Sequence, residues 1–307
     1  MTLEQLRIFV AVAEREHVTR AARDINLTQS ATSAAIAALE ARYATKLFDR
    51  IGRRIELTHA GRQFLLEARA VLARAAAAET VLADLAGLKR GSLSIAASQT
   101  VANYWLPPLM HRYRSTYPGI ALGLTIGNTE TVTAMVRDGR AELGFVEATV
   151  EDPSLSVKPV AKDALVMIAS PLLLSGGARA PSAEDLRRMP WVFREQGSGT
   201  RSILEAALAK AGLPISGLNV VLELPSNESV RTAVIDGAGA SALSRLAVGA
   251  AFEANRLIAL DFPLPRRQFL MLRQKERYRT QAEAAFDELI EADIAGREEA
   301  ALTASSL

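Results

Sequence analysis

Residues 18–40 read VTRAARDINLTQSATSAAIAALE, and this stretch decides the fold of the N-terminal part of the chain. It predicts two short helices separated by a tight turn at Asn26-Leu27. Ala21-Ala22 offers the small surface at which two helices cross closely, and Thr28 is a good N-cap for the second helix. A helix of that size fits the major groove of B-DNA, and a helix-turn-helix is the usual motif that places one there. The stretch therefore predicts a DNA-binding regulator.

The flanking segments extend this motif to a winged helix-turn-helix. Apolar residues at helical spacing predict a first helix near residues 3–16. Thr19 is expected to cap the second helix, and the third continues to about Tyr43, with Ile36 and Leu39 facing the core. Residues 47–57 then alternate between apolar and polar around Gly52-Arg53-Arg54, which indicates a two-stranded hairpin, the wing, with arginines at its tip.

The first turns of the third helix and the wing carry the side chains that suit DNA. Glutamine can pair bidentately with adenine, and serine or threonine can serve several base edges or phosphates. Arginines on the wing can reach phosphates or the minor groove. The predicted DNA-binding residues are Thr28, Gln29, Ser30, Thr32, Ser33, Arg50, Arg53 and Arg54.

One long helix is predicted from Thr58 to about Gly87. Its apolar residues recur in steps of four and three, which is a heptad seam and implies a partner helix in a coiled coil. A helix of roughly 30 residues would extend about 45 Å, beyond a domain this small. A homodimer through residues 59–88 is therefore favoured over packing on the helix's own domain. The seam consists of Phe64, Ala68, Val71, Ala75, Ala78, Leu82 and Leu85.

After residue 90, strand-like runs alternate with helical ones, which predicts a parallel sheet with helices on both faces. Helices are expected after Asn103, after Thr129 and from about Thr280. Two α/β lobes joined by strands that cross near residues 161 and 267 are the predicted architecture. The strands are expected at 93–97, 120–126, 142–146, 165–169, 191–193, 220–224, 240–243 and 269–272.

Four segments follow from this organisation. They are a DNA-binding domain (1–58), a linker or dimerisation helix (59–90), an effector-binding domain (91–295) and a flexible tail (296–307). Within the effector-binding domain, lobe I is predicted to comprise 91–160 and 268–295, and lobe II to comprise 161–267.

Polar residues follow the predicted strands where a ligand would bind. Ligands of open α/β sheets lie beyond the carboxyl ends of the strands, and helices that begin there favour anions through their N–H groups and dipole. The best segment is 197–201, Gly-Ser-Gly-Thr-Arg, in which glycines allow close approach, hydroxyls donate and Arg201 adds charge. Helix capping with an ordinary glycine turn would explain the same residues. The segment lacks the Gly-Lys-Ser/Thr ending of a Walker A loop.

The predicted effector-binding residues share a position at a strand end or helix start. Glu147 is the one acid that follows a strand of lobe I, and it is expected to pair with Arg194 or Arg201, to bind a cationic part of a ligand, or to line the closed cleft. The full set is Ser98, Thr100, Asn128, Thr129, Glu147, Gly197, Ser198, Gly199, Thr200, Arg201, Asn227 and Glu228.

Composition argues against several other classes of protein. The 307 residues carry a net charge of +2, no cysteine and three histidines, so disulfides and thiolate chemistry are excluded and metal clusters are very poor. Gly237-Ala238-Gly239 is a poor dinucleotide fingerprint. No catalytic set, metal or cofactor is therefore expected. Charges interrupt the N-terminal apolar residues and no run of 18 apolar residues occurs, so a cytoplasmic protein without membrane contact is expected.

Residues 1–62 resemble the winged helix-turn-helix of the LysR-type transcriptional regulators. Two departures stand out: Ala44 occupies a position that is usually glycine, and alanines at 34–35 and 37–38 replace residues that are often Arg, Gln or Lys. The second departure shifts the expected base contacts toward Gln29, Ser33 and the wing. The matching residues are Phe9, Ala13, Ala21-Ala22, Leu27, Gln29-Ser30, Ser33, Ile36, Leu39-Glu40, Leu47-Phe48, Arg50, Leu57-Thr58 and Ala60-Gly61.

The resemblance covers nearly the whole chain. It implies a winged domain, a dimerising helix and a two-lobed effector domain similar in fold to periplasmic binding proteins. It also implies a sequence-specific regulator that acts as a homotetramer on double-stranded promoter DNA and RNA polymerase. The loop at 197–201 resembles the branch that responds to small oxyanions or phosphorylated metabolites, so the expected effector is a small anion such as sulfite or sulfate.

Two alternatives stay open at this point. A transport-type solute-binding protein would share the two lobes, although the first 90 residues and the missing signal sequence argue against it. A regulator with a neutral or aromatic effector would share every element except the anion site.

Overall fold

The computed structural model describes residues 1–51, 54–84, 91–173 and 180–305, and it divides into two compact units. The first unit confirms the predicted winged helix-turn-helix. Gly52 and Arg53 at the wing tip, and residues 85–90 at the end of the predicted linker helix, lie outside the described residues. The elements of this unit are α1 (Leu3–Arg15), α2 (Val18–Asp24), α3 (Gln29–Tyr43), β1 (Phe48–Ile51), β2 (Arg54–Leu57) and α4 (His59–Asp84).

Phe9 is the centre of the core of this unit. Its ring is fully buried and lies 5.4 Å from the ring of Phe48 on the wing and 4.8 Å from that of Phe64 on α4. It therefore joins the first helix, the wing and the long helix in one apolar cluster. Ala21 and Ala22 are both buried, as expected for helices that cross closely.

The ends of α2 and α3 follow local rules with one difference from prediction. Asn26 adopts a left-handed conformation (φ 56°) in the turn, and the Thr28 hydroxyl accepts a hydrogen bond from the amide of Ala31, so Thr28 caps α3. Thr19 does not cap α2, because that helix begins at Val18 and Thr19 already lies inside its first turn. Ala44 ends α3 with φ 49°, a left-handed conformation that strains alanine more than the glycine usually found at this position.

The second unit follows the predicted alternation of strands and helices. Short 3₁₀ segments occur at Pro171–Leu173 and Ile215–Gly217. Its main elements are β3 (Gly91–Ser98), α5 (Gln99–Tyr104), α6 (Leu106–Thr116), β4 (Ile120–Gly127), α7 (Thr129–Arg137), β5 (Leu143–Val146), β6 (Leu155–Ala169), α8 (Ala183–Arg188), β7 (Pro190–Arg194), α9 (Gly199–Lys210), β8 (Asn219–Leu224), α10 (Asn227–Ile235), β9 (Ser241–Ser244), α11 (Arg245–Glu253), β10 (Ile258–Leu260), β11 (Arg266–Gln274) and α12 (Gln281–Ser305).

Two long strands, β6 and β11, connect the lobes. In lobe I the order is β4-β3-β5-β11-β6, and β6 then continues into lobe II, where it pairs with β9 and β10. The strands β3, β4 and β5 are parallel, and so are β7 and β8. The predicted parallel pairing is therefore present, but β11 runs antiparallel to both β5 and β6, so the sheet as a whole is mixed. Ala161 on β6 pairs with Phe269 on β11, within the two predicted crossing segments.

Two further helices differ from the prediction. The helix expected after Asn103 is α6, which begins at Leu106 with prolines in its first turn, where their missing N–H groups cost nothing, but it is preceded by a short helix that was not expected, α5, which begins at Gln99 where β3 ends. The flexible tail was expected from residue 296, yet α12 is helical as far as Ser305. Alanine, glutamate and leucine dominate that stretch, and all three favour helix.

Each lobe has its own core built around one tryptophan. In lobe I the ring of Trp105 lies 5.7 Å from that of Phe145 and 5.9 Å from that of Phe269. In lobe II Trp191 is fully buried beside Phe193, and its indole donates to the carbonyl of Leu186 at 2.9 Å. Across the described ranges of both units, every helix is too short or too polar to cross a lipid bilayer.

Candidate functional site

The first turn of α3 presents a polar, solvent-exposed row. Gln29 and Ser30 are exposed, and the Gln29 amide donates to the hydroxyl of Ser33 at 3.2 Å. The hydroxyls of Thr28 and Ser30 lie 3.1 Å apart. This row is available to a groove of DNA, and the assignment of Thr28, Gln29, Ser30 and Ser33 as DNA-binding residues stays a prediction.

Thr32 does not belong to that row. Its side chain is fully buried, and its hydroxyl donates to the carbonyl of Thr28 at 3.0 Å. The cause is helical periodicity, because Thr32 lies four and seven residues before the core-facing Ile36 and Leu39. Its assignment as a DNA contact was wrong.

Glu40 ties the wing to the recognition helix. Its Oε1 accepts from the amides of Leu47 at 2.7 Å and Phe48 at 3.2 Å, and Lys46 pairs with its Oε2 at 3.1 Å. Burial acts to raise the pKa of Glu40, but these hydrogen bonds outweigh it and hold the pKa below its usual value. The wing is therefore anchored at its base.

The three predicted arginines of the wing are only partly described. Arg50 lies on β1 opposite Ile55, and Arg54 lies on β2 opposite Ile51. The structure describes their backbones alone, and Arg53 lies outside the described residues. Their contribution to DNA binding stays a prediction.

Three of the predicted effector-binding residues follow adjacent parallel strands. On β3, Ser98 pairs with Gly127 of β4, and Asn128 follows directly. Ala97 pairs with Phe145 of β5, and Glu147 lies two residues further along the chain. Since neighbouring strands lie about 4.8 Å apart, these polar residues share one edge of the lobe I sheet.

Thr100 and Asn227 bind each other across the two lobes. The Asn227 side-chain amide donates to the Thr100 hydroxyl at 3.1 Å, and its carbonyl oxygen accepts from Arg194. Gln99 adds two hydrogen bonds to this contact between the lobes: it accepts from the backbone amide of Asn227 at 2.9 Å and donates to the carbonyl of Pro225 at 2.7 Å. Thr100 and Asn227 are thus engaged with protein groups.

Glu228 also has protein partners. Its Oε1 accepts from the hydroxyl of Tyr104 at 3.0 Å and from Asn103 at 3.3 Å. Glu228 directly follows Asn227, and it therefore belongs to the same contact between α5 and α10.

The glycines at 197 and 199 permit close approach of the lobes. Asn128 donates to the carbonyl of Gln196 at 3.2 Å, and a Cβ on Gly197 would lie 2.5 Å from the carboxylate of Glu130. Gly197 also has a φ of +79°. A Cβ on Gly199 would lie 2.6 Å from the Thr129 hydroxyl. Protein contacts therefore account for both glycines.

Two further residues of this loop have structural partners. The Ser198 hydroxyl caps α9 by accepting from the amide of Arg201 at 3.5 Å. The Arg201 guanidinium binds Glu205 at 2.6 Å, the carbonyl of Arg194 at 2.8 Å, and Glu223. The structure therefore supports the capping alternative for Ser198 and gives Arg201 partners other than an anion.

The predicted pairing of Glu147 with Arg194 or Arg201 was wrong. Arg194 binds the neighbouring Glu195 at 2.7 and 2.8 Å, and Arg201 binds its own acids. Glu147 is 4% exposed, and its Oε2 is buried with no hydrogen-bond partner among the residues described. It lines a cavity, as one of the predicted options stated.

Sequence reasoning missed Arg267, which joins Thr200 to the crossing strands. Its Nε binds Asp163 at 2.6 Å, its Nη1 donates to the Thr200 hydroxyl at 3.0 Å, and its Nη2 is buried without a partner. Asp163 also accepts from Ser244 at 2.7 Å. The sequence did offer one signal for this contact, because Asp163 and Arg267 are charged residues on the two strands that were predicted to cross between the lobes.

Two cavities lie beside these groups. The larger, of about 1160 Å³, is lined by Glu147, Asp163 and Arg267 together with three further basic residues, Lys162, Arg245 and Arg266. The smaller, of about 460 Å³, is lined by Thr129 and by residues 196–199. Ala148 and Thr149 border both. Ser98, whose hydroxyl is buried without a partner, lines neither of them.

Comparisons with known proteins agree with this architecture. Residues 3–62 match the family described as bacterial regulatory helix-turn-helix protein, lysR family, and residues 86–294 match the LysR substrate binding domain. The chain is similar to the uncharacterized HTH-type transcriptional regulator YeiE of Escherichia coli (strain K12), with 36% identity over 267 residues. Those residues make up 87% of this chain and 88% of YeiE.

Solved structures share the fold. The crystal structure of full-length CbnR complexed with target DNA covers 95% of this chain and 99% of its own, with a TM-score of 0.68 and 22% identity. The regulatory domain of Synechocystis PCC6803 CcmR in complex with 2-PG covers 66% of this chain and 97% of its own, with a TM-score of 0.59 and 26% identity. The first likeness spans both units, and the second lies in the two-lobed unit.

Proposed function

The chain belongs to the LysR family of DNA-binding transcriptional regulators, and from that premise we propose that a small anion bound between the two α/β lobes switches its activity. The winged domain binds promoter DNA, and the bound anion changes how the regulator acts on RNA polymerase. The effector shifts the equilibrium between two states only by its differential affinity for them.

One observation carries the anion proposal: the guanidinium of Arg267 is buried, and its Nη2 donates to no acceptor among the described residues. A buried donor without a partner is costly, so a ligand oxygen at this position would recover that energy. The exposed Lys162, Arg245 and Arg266 line the same cavity and add positive potential at its entrance. Binding of 2-PG to CcmR, a similar regulator, supports the same class of ligand.

The remaining predicted contacts take defined places in this proposal. In the described part of the chain the hydroxyls of Ser98 and Thr129 are buried without partners. Thr129 lines the smaller cavity and is available to a ligand there, whereas Ser98 lines neither cavity. Thr200 positions Arg267 by accepting from Nη1. Sulfite, sulfate and phosphorylated metabolites are the candidates within the class.

Oligomerisation through α4 is part of the proposal. Val71 and Leu82, two residues of the predicted seam, are 42% and 71% exposed on this helix, and exposed apolar side chains at seam positions favour packing against a partner helix. Phe64 and Ala68, at the start of the seam, pack instead in the core of the winged unit. We assign residues 59–88 to a homodimer contact, and the homotetramer follows from the family resemblance.

Other classes fit less well. A solute-binding protein for transport does not need the winged unit, and the family consists of regulators, so we assign no catalytic activity. With DNA as the partner, we place the protein in the cytoplasm. A neutral or aromatic effector would bring no negative charge to the Arg267 guanidinium or to the basic residues of this cavity.

We expect Gln29→Ala to weaken binding to the operator about tenfold, because a bidentate contact to a base contributes about 1–3 kcal/mol of discrimination. Affinity for unrelated DNA should change little, since that binding depends on phosphate contacts. The measurement is a gel shift or fluorescence anisotropy titration with promoter DNA. Gln281→Ala, at an exposed position on α12, is the control. Equal loss in both variants would contradict the assignment.

The test of the anion site is thermal denaturation of the full chain with sulfite, sulfate, phosphate, 2-phosphoglycolate and neutral or aromatic ligands. A ligand at a hundred times its dissociation constant should stabilise the protein by about 2.7 kcal/mol. Thr200→Val should remove this shift, because the isosteric side chain no longer positions Arg267. Thr116→Val, exposed on α6, should keep it. Stabilisation by neutral or aromatic ligands alone would overturn the proposal.

A further inference from the structure

Glu147 is the remaining unsatisfied group beside the larger cavity. Its Oε2 is buried and has no hydrogen-bond partner, and the residue is 4% exposed. A carboxylate can only accept hydrogen bonds, so at this position it requires a donor. A buried acceptor of this kind costs free energy, as the buried donor of Arg267 does.

No basic residue in the described part of the cavity wall satisfies this carboxylate. Arg267 engages Asp163 and Thr200, and its remaining nitrogen, Nη2, is itself without a partner. Lys162, Arg245 and Arg266 line the same cavity without an ion pair to Glu147 in the described structure. Two residues that line one cavity thus hold an unmatched donor and an unmatched acceptor, and neither atom has a partner among the described residues.

We propose that the effector is an anion that also carries a hydrogen-bond donor, such as a protonated oxyanion or a hydroxy acid. Its anionic oxygen accepts from Arg267 Nη2, while its O–H donates to Glu147 Oε2. This inference rests on the proposed function, because it assigns the ligand class of the same site. A fully ionised oxyanion such as sulfate has acceptors alone and would place one of them against the Glu147 carboxylate.

Matched pairs of anions test this directly. Inorganic phosphate at pH 6.5 carries at least one O–H, whereas sulfate of the same shape carries none; glycolate carries a hydroxyl that acetate lacks. Calorimetric titration of the full chain with these four probes gives four dissociation constants. We expect the donor-bearing member of a pair to bind at least about tenfold more tightly, in line with hydrogen bonds to charged groups.

Glu147→Gln is the decisive variant, because its amide can donate where the carboxylate cannot. We expect it to lose the preference for phosphate and to gain affinity for sulfate by about tenfold. Glu288→Gln, at an exposed glutamate on α12 that lines neither cavity, is the control and should keep the preference of the unmodified protein. Tryptophan emission on unfolding should show that Glu147→Gln is no less stable than the unmodified chain, since it replaces a buried charge.

The outcomes separate the two proposals. Equal binding of both members of a pair, unchanged by Glu147→Gln, overturns this inference and leaves the anion site intact. Binding of neither phosphate, sulfate, glycolate nor acetate, together with stabilisation by neutral or aromatic ligands alone, overturns the anion site and this inference with it.

Discussion

Asp163→Ala is expected to lower the free energy of unfolding of the two-lobed unit by about 3–5 kcal/mol, the usual cost of removing one partner of a buried ion pair. The side chains of Asp163 and Arg267 are 2% and 3% exposed, and the variant leaves the guanidinium buried without its counter-charge. The same change deprives Ser244 of its acceptor. Both contacts are lost where β6 and β11 connect the lobes, so we expect both lobes to be destabilised.

Urea unfolding followed by tryptophan emission measures this effect cleanly. Trp105 and Trp191 are the two tryptophans of the chain, and both lie in the two-lobed unit. Glu184→Ala is the control, because its partner Arg188 is 80% exposed and surface pairs contribute at most about 1 kcal/mol. The double variant Asp163→Ala/Arg267→Met should recover most of the loss. A loss below about 1 kcal/mol in Asp163→Ala would refute the argument.

Glu283→Gln is expected to stabilise the two-lobed unit at pH 8 by up to about 3 kcal/mol and to have little effect near pH 4.5. Glu283 is 1% exposed, and neither of its carboxylate oxygens has a hydrogen-bond partner within the ranges that the structure describes. Burial and the negative charge of Glu142 raise its pKa from 4.5 to about 7, against the opposing effect of Arg277, Arg273 and Arg279.

The direction of the pH dependence follows from proton binding. Between about pH 4.5 and 7 the folded protein holds a proton on Glu283 that the unfolded chain has released, so the folded state loses stability as the pH rises through this window. Glutamine cannot ionise and removes that loss. Glu288→Gln, exposed on the same helix, should leave the pH profile unchanged. Parallel stability profiles for Glu283→Gln and the unmodified protein would contradict the assignment.

Local rules predicted most of the winged unit. Ala21-Ala22 and Thr28 gave the helix crossing and the cap, and both are present. The error at Thr32 was avoidable, because the same periodicity that buried Leu39 also buries Thr32. The prediction that Thr19 caps α2 was wrong because capping depends on which residue begins the helix. Sequence reasoning places such boundaries only to within a few residues.

The cleft was harder, because its chemistry depends on contacts between distant segments. The strand ends at Ser98 and Glu147 were predictable from alternating strands and helices. The partners of Arg201 were partly readable, since Glu205 lies four residues along the same helix. Arg267 and Asp163 meet across 104 residues of sequence, and only the antiparallel register of β6 and β11 brings them together.

The position of β11 between β5 and β6 also governs how the protein is made. Lobe I cannot complete its sheet until β11 has been synthesised, and that strand begins about 120 residues after β5 ends. At about 5–20 residues per second, the ribosome needs roughly 6–24 s to supply it. Throughout that interval the nascent chain presents the unpaired edge of β5 beside Phe145, and this exposed edge is a template for aggregation.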